Sequence, residues 1–340
     1  MFATILIDWY QLHKRDLPWR NTSDPYKIWL SEIMLQQTRV DQGLSYFLKF
    51  VDHYPTIVDL ANATEQQVLN DWQGLGYYSR ARNLHATAIA VATQYEGKFP
   101  TTYAEIIQLK GVGAYTAAAI ASFAFNEPKA VVDGNVYRVL ARFFDISTPI
   151  DSTQGKKEFQ QLADELLPHP KNAVYNQAIM EFGALQCVPV NPSCDTCVLN
   201  NNCQAYLNKT VNQRPVKTKK VKVRNRYFYY AIFESENNTC IQKREQNDIW
   251  QHLYEFPLFE TTTSLTDEEL LEYYYRNYQL KPAYISTEIK HVLSHQRIIT
   301  RFLHFSEIPQ KLQAFVVSKD ELVHYPLPRL IEKYLENQSK

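Results

Sequence analysis

Residues 28 to 35 read IWLSEIML, and the carboxylate inside that apolar run is the first group that could do chemistry. Read as a helix, Glu32 shares its face with Ile28, Trp29, Leu35, Gln36 and Arg39, all within about 60° of it. Such a face strips water from a carboxyl group, disfavours its charged form and raises its pKa. Glu32 is then either a structural residue paired with Arg39 or a general acid. A second carboxylate, Asp133, sits in VVDGNVYRVLAR (131–142), just ahead of a helix that starts near Asn135. An aspartate there caps the helix, and the positive helix end keeps it ionised at neutral pH. One carboxyl held protonated beside one held ionised can run acid chemistry next to a developing cation. Cleavage of an N-glycosidic bond needs both: a proton for the leaving base and a negative charge for the oxocarbenium sugar.

Two further groups stand out. Cys187, Cys194, Cys197 and Cys203 follow the spacing Cys-x6-Cys-x2-Cys-x5-Cys and can close around one centre. The spacing leaves zinc and a [4Fe–4S] cluster both open, and it points to a metal site in a reducing compartment rather than to disulfides. Cys240 lies outside the group and reads as a core residue. In LKGVGAYTAA (109–118), Gly111 and Gly113 permit positive φ and a close approach by another backbone. The helix that follows offers free N–H groups to a phosphate, as in a contact with one DNA strand.

The elements that must position these groups fall into two parts, as 340 residues suggest. Residues 1–207 read as mostly helical, with apolar residues at three- and four-residue spacings and helix starts at Asp24-Pro25 and Thr64. YAEIIQLKGVGAYTAAAIASFAF reads as two helices around a glycine turn. Residues 208–226 are rich in Lys and Arg and contain no acid, which predicts a solvated linker or a DNA-facing one. Beyond it YFYYAIF, TCIQKRE, YISTEIKHVLSH, QRIITRFLHF and AFVVS read as strands, punctuated by helices in TDEELLEYYYRN and LPRLIEKYLEN. Thirty-six basic residues balance 36 acidic ones, so only a local patch could favour nucleic acid. No apolar run reaches the roughly 18 residues of a membrane span. The N-terminal stretch has no targeting character, so a cytoplasmic protein with no membrane contact is expected.

LPWR (17–20), SEIMLQQTRV (31–40), GLGYYSRARNL (74–84), GVGAYTA (111–117), VDGNVYRVLAR (132–142) and the cysteine quartet together resemble the helix-hairpin-helix, iron–sulfur DNA glycosylases. Within that superfamily the chain is similar to the MutY-type adenine glycosylases. WQHLYEFPLFE (250–260) and HVLSHQ (291–296) resemble the Nudix-like domain with which those enzymes read 8-oxoguanine. A hydrolytic Nudix domain carries a glutamate-rich REXXEE box, and here only Asp267-Glu268-Glu269 is found, so binding without hydrolysis is expected.

The resemblance implies a mainly α helix-hairpin-helix glycosylase with a [4Fe–4S] loop at 187–203, a linker at 208–226 and a C-terminal α+β Nudix-like domain at 227–340. It implies that Glu32 protonates adenine at N7 and that Asp133 stabilises or traps the oxocarbenium ion, supported by Tyr115 and Asn135. Trp19 and Arg20 would line the adenine pocket. Gln36, Gln37, Thr38 and Tyr77 would contact and wedge the DNA. Gly111, Val112 and Gly113 would hold phosphate, with a monovalent cation at the hairpin. Leu293, Ser294 and His295 would face 8-oxoguanine, and Cys187, Cys194, Cys197 and Cys203 would ligate the cluster. The related endonuclease III enzymes carry a nucleophilic lysine where this chain has Tyr115. Without that amine a Schiff base is inefficient and little or no AP-lyase activity is expected. The implied partner of this monomer is duplex DNA with A:8-oxoguanine or A:G mispairs, with a replication clamp or mismatch-repair proteins as further partners. Two residues depart from the family pattern: Lys110 stands where a proline is usual, and Leu293 where an aromatic is. A bifunctional pyrimidine glycosylase, a non-catalytic damage-binding protein and a zinc-stabilised structural module are the competing readings.

Overall fold

Helix starts fall where capping side chains stand. Asp24 accepts from the Tyr26 amide at 3.0 Å ahead of the Pro25–Met34 helix. Thr64 and Gln67 satisfy each other's backbone amides in a capping box that opens the Glu65–Asp71 helix. The computed structural model describes residues 1–218 and 223–338. Among them no helix is long and apolar enough to cross a membrane.

The described chain divides into two compact units. The first comprises Met1–Asn62 and Asn83–Lys219 and is helical; the second comprises Ala63–Arg82 and Lys220–Lys340. The predicted break near residue 207 therefore moves. Residues 63–82 group with the C-terminal part because their side chains bond to it. Glu65 meets His252 Nδ1 at 2.7 Å, Gln66 donates to the His324 carbonyl at 2.9 Å and Arg82 donates to the Gln251 carbonyl at 2.7 Å.

In the first unit the Phe2–His13 helix packs on Asn172–Leu185, which packs in turn on Gly134–Phe143, while Pro25–Met34 packs on Ala114–Phe125. Leu6, Trp9, Leu140, Phe159, Tyr175 and Phe182 are buried where the first three meet. Each such side chain contributes about 1.5–3 kcal/mol by leaving water. The run of alanines in AYTAAAIASFAF lets the Ala114–Phe125 helix lie close to its neighbour. The segment before the glycine turn forms only one helical turn, Tyr103–Ile106.

Most of the predicted linker is not loose chain. Val211–Gln213 is a 3-10 turn, the Ile150 amide bonds to the Val216 carbonyl at 3.0 Å, and Arg214 pairs with Asp145 at 2.9 Å. Arg224 and Arg226 already lie in the first strand. Linker residues 219–222 lie outside the described residues.

Among its described residues the second unit holds eight strands: β1 Arg224–Ser235, β2 Asn238–Lys243, β3 Tyr254–Glu255, β4 Leu258–Thr261, β5 Tyr284–Ile285, β6 Ile289–Val292, β7 Gln296–Phe305 and β8 Phe315–Ser318. The sheet is mixed. β1 runs parallel to β7 and antiparallel to β4, and β2 carries β3 and β8. The predicted YISTEIKHVLSH strand is split into β5 and β6, both antiparallel to β7. Helices Asp267–Tyr278 and Arg329–Gln338 cover the sheet's two apolar clusters, as their sequences predict.

Candidate active site

Glu32 lies on the Pro25–Met34 helix, with only 8% of its surface exposed. The Tyr115 hydroxyl, from the first turn of Ala114–Phe125, donates to Glu32 Oε2 at 2.6 Å. Burial raises the Glu32 carboxyl to about 7, and Asp133 adds to the rise; the Tyr115 bond and the Arg20 charge oppose it without cancelling it. Tyr115 is itself raised well above its usual value by burial, so it remains a donor. Arg39 is not the partner of Glu32. The helix ends at Met34 and Arg39 caps the next one, so the face projected from sequence stops before reaching it.

Asp133 caps Gly134–Phe143, accepting from the Val136 amide at 2.7 Å through Oδ1 and from Asn135 Nδ2 at 2.8 Å through Oδ2. These bonds and the helix end are opposed by burial. Burial raises the carboxyl above its ordinary range and outweighs the bonds from Val136 and Asn135 and the charge of Arg138. Asn135 is oriented by Arg138, whose Nη2 donates to its Oδ1 at 2.8 Å and to the Gly183 carbonyl at 2.6 Å. Gly183 permits that approach, since a Cβ there would stand 2.7 Å from Asn135 Cβ.

Glu32, Asp133, Tyr115, Asn135, Trp19, Arg20 and Thr38 line one cleft of about 560 Å³. Glu181 also lines it, and sequence reasoning missed it. Its carboxylate, 1% exposed, takes Arg15 Nε and Nη2 at 2.8 and 2.6 Å and Arg20 Nη1 and Nη2 at 2.8 and 2.6 Å. Burial pushes the Glu181 carboxyl up, but the two guanidinium groups outweigh it and hold it down at about 2. Arg20 is thus fixed in place beside Trp19, whose ring meets Phe47 edge-on at 5.0 Å.

The other assigned residues are placed as follows. Gln36 Nε2 donates to Thr116 Oγ1 at 3.2 Å. Gln37 and Tyr77 both adopt left-handed backbone, at φ 56 and 50, and the Tyr77 side chain is 46% exposed. Of the two hairpin glycines only Gly111 needs positive φ (75); Gly113 is extended and caps the following helix. The Val112 amide is engaged by the Leu109 carbonyl at 3.1 Å, so it is not free for phosphate as expected. In the second unit Ser294 and His295 form an exposed tip between β6 and β7. Leu293, half-buried, packs against the domain's core cluster at the base of the tip.

All four cysteines line a single cavity of about 30 Å³ with Val139, Phe182 and Leu199. Arg142 Nη1 lies 3.4 Å from Cys187 Sγ, and the Leu199 amide donates to Cys197 Sγ at 3.5 Å. Among the described residues no three His, Cys, Asp or Glu side chains stand close enough, as placed, to hold a metal ion. The sulfur donor set, the guanidinium and amide donors and the apolar wall suit a thiolate-held centre. The Gly134–Phe143 helix connects this loop to the site: Arg138 Nε donates to the Cys187 carbonyl at 2.7 Å while its Nη2 holds Asn135.

Residues 30–169 match the family model of the HhH-GPD superfamily base excision DNA repair proteins, and residues 228–337 match the NUDIX domain. A solved thermostable thymine-DNA glycosylase is 32% identical and covers 61% of this chain and 95% of its own, with a TM-score of 0.57. An adenine DNA glycosylase of Buchnera aphidicola subsp. Baizongia pistaciae is 37% identical, with 87% of this chain and 83% of its own length covered. That of Buchnera aphidicola subsp. Acyrthosiphon pisum is 31% identical, with 100% and 98% covered. The chain belongs to the adenine DNA glycosylase family.

Proposed function

We propose that this DNA glycosylase hydrolyses the N-glycosidic bond of adenine mispaired with 8-oxoguanine or guanine, and leaves the DNA strand uncut. The observation that carries the reading is the pairing of a buried, proton-holding Glu32 with the helix-capping Asp133 in one cleft. A flipped adenosine would enter that cleft, and its unstacking, a few kcal/mol, would be offset by contacts with the enzyme. Tyr115 occupies Oε2 of Glu32, so the transferable proton sits on Oε1. That proton passes to N7 of adenine as the C1′–N9 bond breaks and its electron pair leaves with the base. The oxocarbenium ion forms beside the Asp133 carboxylate. Water then bonds to C1′, and its proton returns to Glu32.

No lysine lines the cleft among the described residues, which supports release of the base without an amine-linked intermediate. Ser294 and His295, exposed on the turn between β6 and β7, would read the opposite 8-oxoguanine. The Nudix-like domain carries no REXXEE run, which supports binding over hydrolysis. Cys187, Cys194, Cys197 and Cys203 would hold a [4Fe–4S] cluster, which when bound would close residues 187–203 around one centre, while Arg138 joins that loop to the Gly134–Phe143 helix. Stoichiometric iron with a broad absorbance near about 400 nm supports the cluster, and zinc alone refutes it.

The test of the reaction is single-turnover incubation with labelled A:8-oxoguanine and A:G duplexes, each read with and without alkali. The expected product appears only after alkali and forms faster opposite 8-oxoguanine. Strand breaks without alkali refute the monofunctional reading, and intact duplexes that are nonetheless bound favour a damage-binding protein.

A further inference from the structure

Beneath the exposed Ser294–His295 tip lies a buried polar chain whose hydrogen-bond senses are fixed by chemistry. Gln296 opens β7 and is 2% exposed. Arg226 Nη1 lies 2.9 Å from Gln296 Oε1. A guanidinium can only donate, so the atom it meets must be the amide oxygen. The Gln296 NH2 group is thereby turned to His295, with Nε2 to Nε2 at 2.8 Å. An amide nitrogen can only donate, so His295 Nε2 must accept and the ring proton must sit on Nδ1. That Nδ1 lies 3.2 Å from Ser294 Oγ, to which it donates.

Arg226 is anchored in turn. Its Nε and Nη2 bond both oxygens of Glu260 at 2.7 and 2.8 Å, Asp248 stands 2.6 Å from Nη1, and its guanidinium lies 4.8 Å from the Phe228 ring centre. The tip backbone is pinned as well: the Leu293 amide bonds the Gln296 carbonyl at 2.8 Å and the Arg224 amide the His295 carbonyl at 3.2 Å.

We infer that Arg226 and Gln296 are positioning residues that hold His295 as its Nδ1–H tautomer, so that Ser294 presents an outward O–H and one free lone pair to the base opposite adenine. This rests on the reading that the tip contacts 8-oxoguanine. The lesion places an N7–H donor beside an O8 acceptor, which that hydroxyl can meet with its lone pair and its proton. Guanine offers only an acceptor at N7. In the opposite tautomer the serine proton would be drawn to His295 Nδ1, and donation to O8 would be lost.

Gln296→Glu keeps the length and the Arg226 bond but reverses the sense at His295 Nε2. The test combines ring 15N spectra of histidine-labelled protein with dissociation constants for A:8-oxoguanine and A:G duplexes, the latter in a Glu32→Gln background so that bound DNA is not processed. The expected spectra show Nδ1–H in the parent and Nε2–H in Gln296→Glu. The preference for 8-oxoguanine should fall roughly tenfold in both Gln296→Glu and Ser294→Ala, the loss of one hydrogen bond. Gln296→Met, which removes the donor without adding charge, should show mixed tautomers and a smaller loss, scaled by the fraction that leaves the Nδ1–H form, and it serves if the glutamate variant does not fold. An Nε2–H parent, or the same tautomer in parent and variants, overturns the inference. So does a preference lost in Ser294→Ala but retained in the Gln296 variants, which leaves the tip reading standing. A preference untouched by Ser294→Ala overturns the tip reading, and the positioning role falls with it.

Discussion

Replacing Glu32 by glutamine should stabilise the protein above neutral pH while abolishing base release. Burial lifts the Glu32 carboxyl from 4.5 to about 7. In the unfolded chain the same group ionises near its ordinary value. Between about pH 4.5 and 7 folding therefore takes up a proton, and stability falls as pH rises through that window. Above it the native protein carries the full penalty, about 3.5 kcal/mol for a rise from 4.5 to about 7 at about 1.4 kcal/mol per tenfold change. Glutamine has no proton to take up and still offers an oxygen to Tyr115. The stability of Glu32→Gln relative to the parent should therefore climb by about 3 kcal/mol between about pH 4 and about pH 8, a sizeable part of a typical domain's total. Urea unfolding of both proteins at the two pH values measures it. A difference between parent and variant that does not change with pH would refute the claim that burial holds the proton on Glu32. Asp133→Asn should remove only its Coulombic share of the shift and leave the larger part, due to burial, in place.

Tyr115→Lys would put an amine into the cleft beside Glu32, and it should yield strand breaks without alkali and a borohydride-trappable adduct; an alkali-dependent product would refute the role given to residue 115. Glu181→Gln leaves two guanidinium groups without their carboxylate and should cost about 3 kcal/mol in urea unfolding. The Glu181 carboxyl is depressed to about 2, so its contribution is complete above its ordinary value of 4.5 and is lost progressively as pH falls from there through about 2. A parent protein that loses this contribution near pH 5 would contradict the clamp.

The two carboxylates were legible because their signals are local. Glu32 sits in an apolar helix, and Asp133 precedes Gly-Asn at a helix start. The balance at Asp133 was not legible, because cap bonds follow from sequence whereas the atoms that exclude water come from distant segments. Glu181 reads in NAVYNQAIMEFGAL as one more helical carboxylate, and its partners Arg15 and Arg20 lie 166 and 161 residues away. Gly183 reads as a weak point in a helix and gains its meaning only when Asn135 is packed against it. In the second unit the long strands and both helices could be read from their residue patterns. β3 and β4 could not, since they are two and four residues long and separated by Phe256-Pro257. The bonds of Glu65, Gln66 and Arg82 to the C-terminal part likewise have no local pattern.

The central claim is that Glu32 delivers its proton to the leaving base from a carboxyl titrating near neutrality. The most direct test is the single-turnover rate of adenine release from an A:8-oxoguanine duplex, followed from about pH 5 to about pH 9. The account predicts a falling limb centred on about 7 that steepens to about tenfold per pH unit, and no base release by Glu32→Gln at any of these pH values. A rate that holds level or rises through pH 8, or a variant that keeps the parent's rate and profile, would contradict it.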